Sequence, residues 1–237
     1  MIPVRGLPEV REGDDVAALI AVAVELDGGD VVVVAHKVVS KAEGRVVRLD
    51  EVEASAQARD LAAGEDPRRL EVILRESARL VRTRPPLVIA ETRHGFVCAS
   101  AGVDASNAPE PDSVVLLPED PDASAARLRD RLLQLTGADV AVIVSDSFGR
   151  AWRQGTTDVA IGCAGLQPLV DLHGRRDATG YELHATVIAV ADELAGAAEL
   201  VRGKLDRVPA AVVRGFEPRG EGTARELVMP PERDLFR

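Results

Sequence analysis

Two short apolar runs constrain this chain most. Val31 to Ala35 is uninterrupted Val and Ala, and Val140 to Val144 repeats the pattern before running into Ser145 and Asp146. Runs of this length, rich in β-branched residues, read as buried strands. Segments between and around them carry helix punctuation. Asp14 and Asp15 precede a periodic stretch from Val16 to Leu26 that Gly28-Gly29 closes. Glu51 to Ala63 reads as a helix ending near Gly64, and Pro67 opens another. In that helix Leu70, Ile73, Leu74, Ala78 and Val81 recur at three- and four-residue steps, and Pro85-Pro86 ends it. Further helices are expected from Ser124 to Leu135 and from Leu183 to Arg202. Arg45 to Leu49, Val114 to Leu117 and Ala210 to Val213 read as strands. Leu87 to Glu91 and Phe96 to Ala99 flank Arg93-His94-Gly95 as a hairpin. A mixed α and β fold follows.

Composition narrows the function classes. Hydrophobic residues make up 46% but aromatics only 3%, so Val, Leu, Ala and Ile must fill the core. The 237 residues suffice for one large domain or two small interlocked ones. A formal charge of −10 without a basic patch argues against nucleic-acid binding. The acidity serves solubility, or some carboxylates hold divalent metal. Cys98 and Cys163 offer neither a disulfide framework nor a zinc site, and read as small buried hydrophobes. No apolar run approaches the ~18 residues of a membrane span. The N-terminus turns polar and acidic at once, unlike a signal peptide. A cytoplasmic location without membrane partners is expected.

The best local case for a site is Val140 to Arg153. The strand is expected to end at Asp146 and Ser147, where open α/β sheets place ligands. Asp146 offers an anionic oxygen and Ser147 a neutral one, both suited to Mg²⁺ or Mn²⁺. Arg150 and Arg153 can meet phosphate or carboxylate. The same residues also suit an ordinary turn closed by an Asp side chain. Asp104 and Asn107, in the loop from Gly102, can bind metal and a phosphate or base, or can simply be turn residues. Lys41, after the first buried strand, can neutralise a phosphate or lie in solvent. Common nucleotide and hydrolase signatures are missing. Gly203-Lys204 lacks the Walker-A spacing, and there is no GxGxxG, GxSxG or HExxH.

Taken together, Gly6 to Val10, His36 to Arg45, Gly102 to Asn107, Ser145 to Leu169 and Ala191 to Lys204 resemble the coenzyme F420-0:L-glutamate ligase family. The segment from Ser145 to Leu169 is the specific one. The resemblance runs from about residue 3 to residue 217. It implies an α+β subunit with interlocked subdomains in an intertwined homodimer. The implied activity is GTP-dependent joining of L-glutamate to the deazaflavin precursor F420-0, with further γ-linked glutamates. An acyl phosphate would be the intermediate, releasing GDP and phosphate. It implies a divalent ion, Mg²⁺ or Mn²⁺, held by Asp104, Asp146 and Ser147, and a monovalent ion such as K⁺. Guanine-nucleotide contacts map onto Leu7, Pro8, Glu9, Val10, His36, Lys41 and Asn107. Arg150 and Arg153 would hold the acidic substrates.

Relatives often carry Gln at the position of Lys204, where it can serve the metals. A charged lysine cannot ligate metal, so Lys204 either replaces a cation, binds phosphate or lies solvated at a helix end. Residues 1–218 are expected to form the ligase domain and 219–237 an arm. Leu227 to Arg237 resembles the connector of two-domain relatives, in which a nitroreductase-like domain follows. Two rivals remain: an amide ligase with another acceptor, and a non-catalytic nucleotide-binding subunit.

Overall fold

The computed structural model describes residues 1–218 and 220–235. Arg219, where the arm is expected to begin, and Phe236 and Arg237 at its end lie outside the described residues. The chain opens with strand β1 (Ile2–Val4), helix α1 (Val16–Ala23), strand β2 (Val31–Ala35) and the short helix α2 (His36–Ala42). Strand β3 (Val46–Arg48), helices α3 (Ala56–Ala62) and α4 (Pro67–Glu76) and strands β4 (Ser77–Arg84), β5 (Leu87–Thr92) and β6 (Val97–Ala99) come next. They are followed by strand β7 (Ser113–Val115), helix α5 (Pro121–Thr136) and the long pair β8 (Ala141–Arg150) and β9 (Arg153–Ala164). Strands β10 (Val170–Asp171) and β11 (Val187–Ile188), helix α6 (Val190–Arg202) and strand β12 (Ala210–Val213) complete the series.

The main sheet has the order β1-β12-β2-β8-β9. Its β2–β8 pairing is parallel and its other pairings are antiparallel. The two Val-rich runs are therefore neighbours in mid-sheet. Val32, Val34, Val142 and Val144 face α1 and α5, packing with Ile20 and Leu132. Val31, Val33, Ala141 and Ile143 face α6, packing with Ala191, Leu194 and Ala198. Helices on both faces are why these runs carry no alternation. Val31 to Val34 are at most 1% exposed, and each such burial stabilises by about 1.5–3 kcal/mol. A third core joins α3 and α4 to β5 and β7 through Leu70, Ile73, Val88 and Val114. The result is an α+β fold, as expected.

Several boundaries differ from the sequence reading. The helix from Pro67 stops at Glu76, where the Ser77 hydroxyl donates to the Ile73 carbonyl at 2.6 Å. Ala78 and Val81, expected on its buried face, lie instead in β4, which pairs antiparallel with β5. Long-range pairing overrides a local helical period there. The expected helix from Leu183 begins only at Val190, because Val187 and Ile188 pair with β10. The segment containing Gly155 and Gly162 is strand β9. Gly162 is needed there for close approach, since a methyl group on it would overlap the Pro121 carbonyl at the start of α5. The arm lies against the body: Ala224 is buried, and its N–H and that of Cys163 both donate to Asp122 Oδ1 at 2.8 Å.

Candidate active site

Strand β2 passes directly into α2, so His36 and Lys37 stand at the end of the parallel β2–β8 pair, where Ala35 faces Ser145. Strand β8 does not stop at Asp146. It continues to Arg150 and returns as β9, because Ser147, Phe148 and Gly149 find ladder partners in Asp158, Thr157 and Thr156. The expectation of a strand end at Asp146 is corrected by this pairing. A bulge leaves Ile161 unpaired between the Val144–Gly162 and Ser145–Ala160 pairs. Such bulges re-aim side chains.

A cavity of about 340 Å³ opens at this place. Leu7, Pro8, Glu9, Val10, His36, Lys41, Asn107, Asp146, Ser147 and Lys204 all line it. The cavity thus gathers most of the expected site residues from five distant segments. Lys37, Asp158, Glu199, Arg202 and Arg207 line it as well. Its wall carries Lys37, Lys41, Arg202, Lys204 and Arg207 against Glu9, Asp146, Asp158 and Glu199. In a chain of net charge −10, that is a local excess of positive charge. Asp104 does not line the cavity; Lys37, which does, holds its carboxylate. Arg150 and Arg153 pair with each other at the hairpin tip, exposed and outside the cavity.

Two buried polar atoms in the wall lack hydrogen-bond partners: His36 Nε2 and Arg202 Nη1. His36 Nε2 lies 3.2 Å from Asp146 Oδ1, close enough for attraction but without hydrogen-bond geometry. Burial works against the Asp146 carboxylate. The attraction of His36, the Ser147 N–H and the Lys37 ammonium outweigh it and hold the pKa below the ordinary value. Asp104 is similar. Burial opposes its charge, yet hydrogen bonds from Lys37 and Ser106 lower its pKa to about 2. Lys37 Nζ donates to Asp104 Oδ2 at 2.6 Å, Ser106 Oγ at 2.6 Å and the Ser106 carbonyl at 2.9 Å. All three ammonium donors are thereby used, which ties the Asp104–Asn107 loop to α2. Asn107 sits at φ 57°, a left-handed conformation that Asn tolerates. Lys41 is buried and pairs with Glu9 at 2.5 Å. Lys204 is exposed at the rim, just past the end of α6.

Beneath Ser147 lies a buried network. Asp158 Oδ1 accepts from Ser147 Oγ at 2.6 Å, and Oδ2 accepts from Ser145 Oγ at 2.9 Å and from Arg202. Arg202 also donates to Ser145 Oγ at 3.0 Å. The Ser147 hydrogen is committed to Asp158, which leaves its oxygen lone pairs to face the cavity. Sequence reasoning missed Lys37, Asp158, Glu199 and Arg202. One signal was available for Arg202: it continues the stripe Ala191, Ala195, Ala198, all buried on α6, and so belonged on a buried face.

The fit to a divalent ion can be judged from these donors. Asp146, Asp104 and Ser147 offer hard oxygens, and a cationic ammonium already lies against Asp104. No cluster of three or more His, Cys, Asp or Glu among the described residues is gathered as an all-protein cage. Both Asp104 oxygens are already engaged, Oδ2 by Lys37 and Oδ1 by the Ser106 N–H, so Asp146 and Ser147 are the members of this set that line the cavity; such a pair suits an ion of the Mg²⁺ type, which keeps water and takes phosphate oxygens beside one or two carboxylates.

Comparison with known proteins agrees with this geometry. A profile of the F420-0:Gamma-glutamyl ligase family matches residues 6–215. The Coenzyme F420:L-glutamate ligase of Methanopyrus kandleri is 52% identical over 97% of this chain and 94% of its own length. The protein of the same description from Methanothermobacter thermautotrophicus is 45% identical, over 100% of this chain and 98% of its own. That of Archaeoglobus fulgidus is 44% identical over 100% and 96%. A chain whose cavity draws together the segments of this family, and which matches its members along nearly its whole length, belongs to the F420-0:gamma-glutamyl ligase family.

Proposed function

We propose that this chain ligates L-glutamate to the carboxylate of F420-0 at the expense of GTP, and then adds further γ-linked glutamates. The observation that carries the proposal is the cavity itself. It sets an ionised Asp146 and three further carboxylates among five cationic side chains, with buried nitrogens of His36 and Arg202 left unpartnered, so the wall is slightly positive in a chain of net charge −10. Such a wall suits a polyphosphate better than a neutral ligand.

A carboxylate does not condense with an amine unaided, because oxide is too poor a leaving group. Transfer of the GTP γ-phosphoryl group to the precursor carboxylate gives an acyl phosphate, and the glutamate amine displaces phosphate from it. Asp104, Asp146 and Ser147 would hold Mg²⁺ or Mn²⁺, which supplies charge neutralisation between phosphate oxygens. Lys41 and His36 would meet the nucleotide phosphates. Residues Leu7 to Val10 and Asn107 would frame the guanosine. Lys37 positions the Asp104–Asn107 loop, and Asp158 fixes the Ser147 hydroxyl. Lys204, at the rim, is suited to phosphate or to the place of a monovalent ion such as K⁺. Arg150 and Arg153 would take the acidic substrates from outside the cavity, at the hairpin tip. An intertwined homodimer with interlocked subdomains, and residues 219–237 as an arm, belong to the same proposal. A cytoplasmic location also belongs to the proposal; no helix among the described residues is long and apolar enough to cross a membrane.

Incubation with GTP, Mn²⁺, glutamate and F420-0 tests the proposal. Mass spectrometry should show glutamate addition matched by equal GDP and phosphate. Nucleotide binding without any glutamate adduct would mark a non-catalytic binder. Turnover only with another acid would mark a different amide ligase.

A further inference from the structure

A second and larger cavity, of about 540 Å³, flanks the same β8–β9 hairpin. Its wall is formed by Phe96 and Val97 beside β6, Phe148 of β8, Val159 of β9, and Val228 and Met229 of the arm. The lining is predominantly apolar, with Asp192, Arg233 and Asp234 as polar groups. That volume and that mixture are typical of small-molecule sites. Aromatic residues are scarce in this chain, yet two of its four Phe line this cavity. Their rings meet edge-on, at 68° and 6.2 Å between centroids.

The two cavities are neighbours along one strand. Asp146 lines the first and Phe148 the second, about 7 Å apart along β8 at the usual rise of a strand. Asp158 and Val159 repeat the division on β9. One cavity is densely charged, with cations in slight excess, and the other is mainly apolar and aromatic. That contrast matches an elongated acid with a flat ring system at its far end.

We propose that the apolar cavity between Phe96 and Phe148 binds the planar aromatic head of the acyl substrate, while its acid end reaches the cavity of Asp146. The proposal rests on the ligase reading above. A flat heteroaromatic ring is the favoured occupant because it can meet an aromatic pair by stacking or edge contact and can offer ring-edge polar atoms to Asp192 and Arg233.

The probe is 5-deazariboflavin, which carries the tricyclic ring and a sugar-alcohol chain but neither phosphate nor carboxylate. Fluorescence titration should show binding to the wild-type chain without GTP or glutamate. The probe should inhibit ligation competitively against F420-0 and not against GTP. Phe148→Ala should raise the KM for F420-0 about tenfold, as expected for loss of one partly buried aromatic wall, and leave the KM for GTP unchanged. Val97→Glu, a change at a partly exposed position of the wall, should act in the same direction. Ligation with no competition by the probe, and an unchanged KM for F420-0 in both variants, would overturn the proposal. So would variants that alter only the mass in light scattering, since the groove would then be covered by a second copy. Phe148-dependent probe binding by a chain that never transfers glutamate would leave the ring site standing and remove the ligase reading instead.

Discussion

Arg202→Met tests the buried network under the candidate site. Arg202 and Asp158 are each about 5% exposed and form an ion pair, with Arg202 also bound to Ser145 Oγ at 3.0 Å. Removing one member of such a pair strands the other charge and costs roughly 3–5 kcal/mol. Asp158 would keep the hydroxyls of Ser145 and Ser147 as donors, so the loss should fall near the lower end, about 3 kcal/mol. For a chain of this size that corresponds to a fall in Tm of roughly 6–12 °C. The double variant Asp158→Asn with Arg202→Met should recover most of the loss, because a neutral amide strands no charge and can accept from one serine hydroxyl while donating to the other, whose hydrogen can turn away. Urea unfolding followed by circular dichroism, with an unchanged denaturant slope, gives both numbers. Arg202→Met within about 1 kcal/mol of wild type, or a double variant worse than the single one, would refute the account of this pair.

Three further outcomes are expected. Asp146→Asn keeps the shape but removes the anionic oxygen proposed to hold the divalent ion, so ligation should be abolished while folding persists; wild-type turnover at saturating substrates would remove Asp146 from the site. Gly162→Ala should destabilise by about 1–3 kcal/mol or more, the range for overpacking, because its methyl group meets Pro121 backbone; an unchanged Tm would show that α5 can move aside. Glu71 accepts from the Ser55 N–H at 3.0 Å and pairs with Arg75, and its pKa is lowered from 4.5 to about 2, mainly by hydrogen bonds from Ser55. A depressed carboxylate stabilises above its unfolded pKa and loses that contribution as pH falls through the folded one. Glu71→Gln should therefore be less stable than wild type at pH 7, with the gap closing between about pH 4.5 and pH 2; a gap independent of pH would contradict this.

Much of the fold was legible because its central elements state their burial openly. Val31 to Ala35 and the run from Val140 have no polar residue to put on a wet face, and both lie between helices on the two sides of the sheet. Where a segment supports two periods, only its partner decides. Ser77 to Arg84 continues a helical pattern but pairs with β5, and the segment from Gly155 to Gly162, despite its glycines, forms the second strand of the hairpin. In the site, Asp146, His36 and Lys41 came from segments that resemble the family, and all three reach one cavity. Lys37 and Arg202 were not legible as site residues because their partners Asp104 and Ser145 are distant in sequence, and Asp158 was not because it meets Ser147 only once β8 and β9 pair.

The acyl-phosphate route is the central claim, and oxygen transfer tests it most directly. F420-0 labelled with ¹⁸O in its reacting carboxylate should be ligated in the presence of GTP, glutamate and Mn²⁺, and the released phosphate analysed by mass. The proposed route predicts one ¹⁸O in each phosphate, because the amine displaces phosphate together with a former carboxylate oxygen. Glutamate addition with unlabelled phosphate would contradict it.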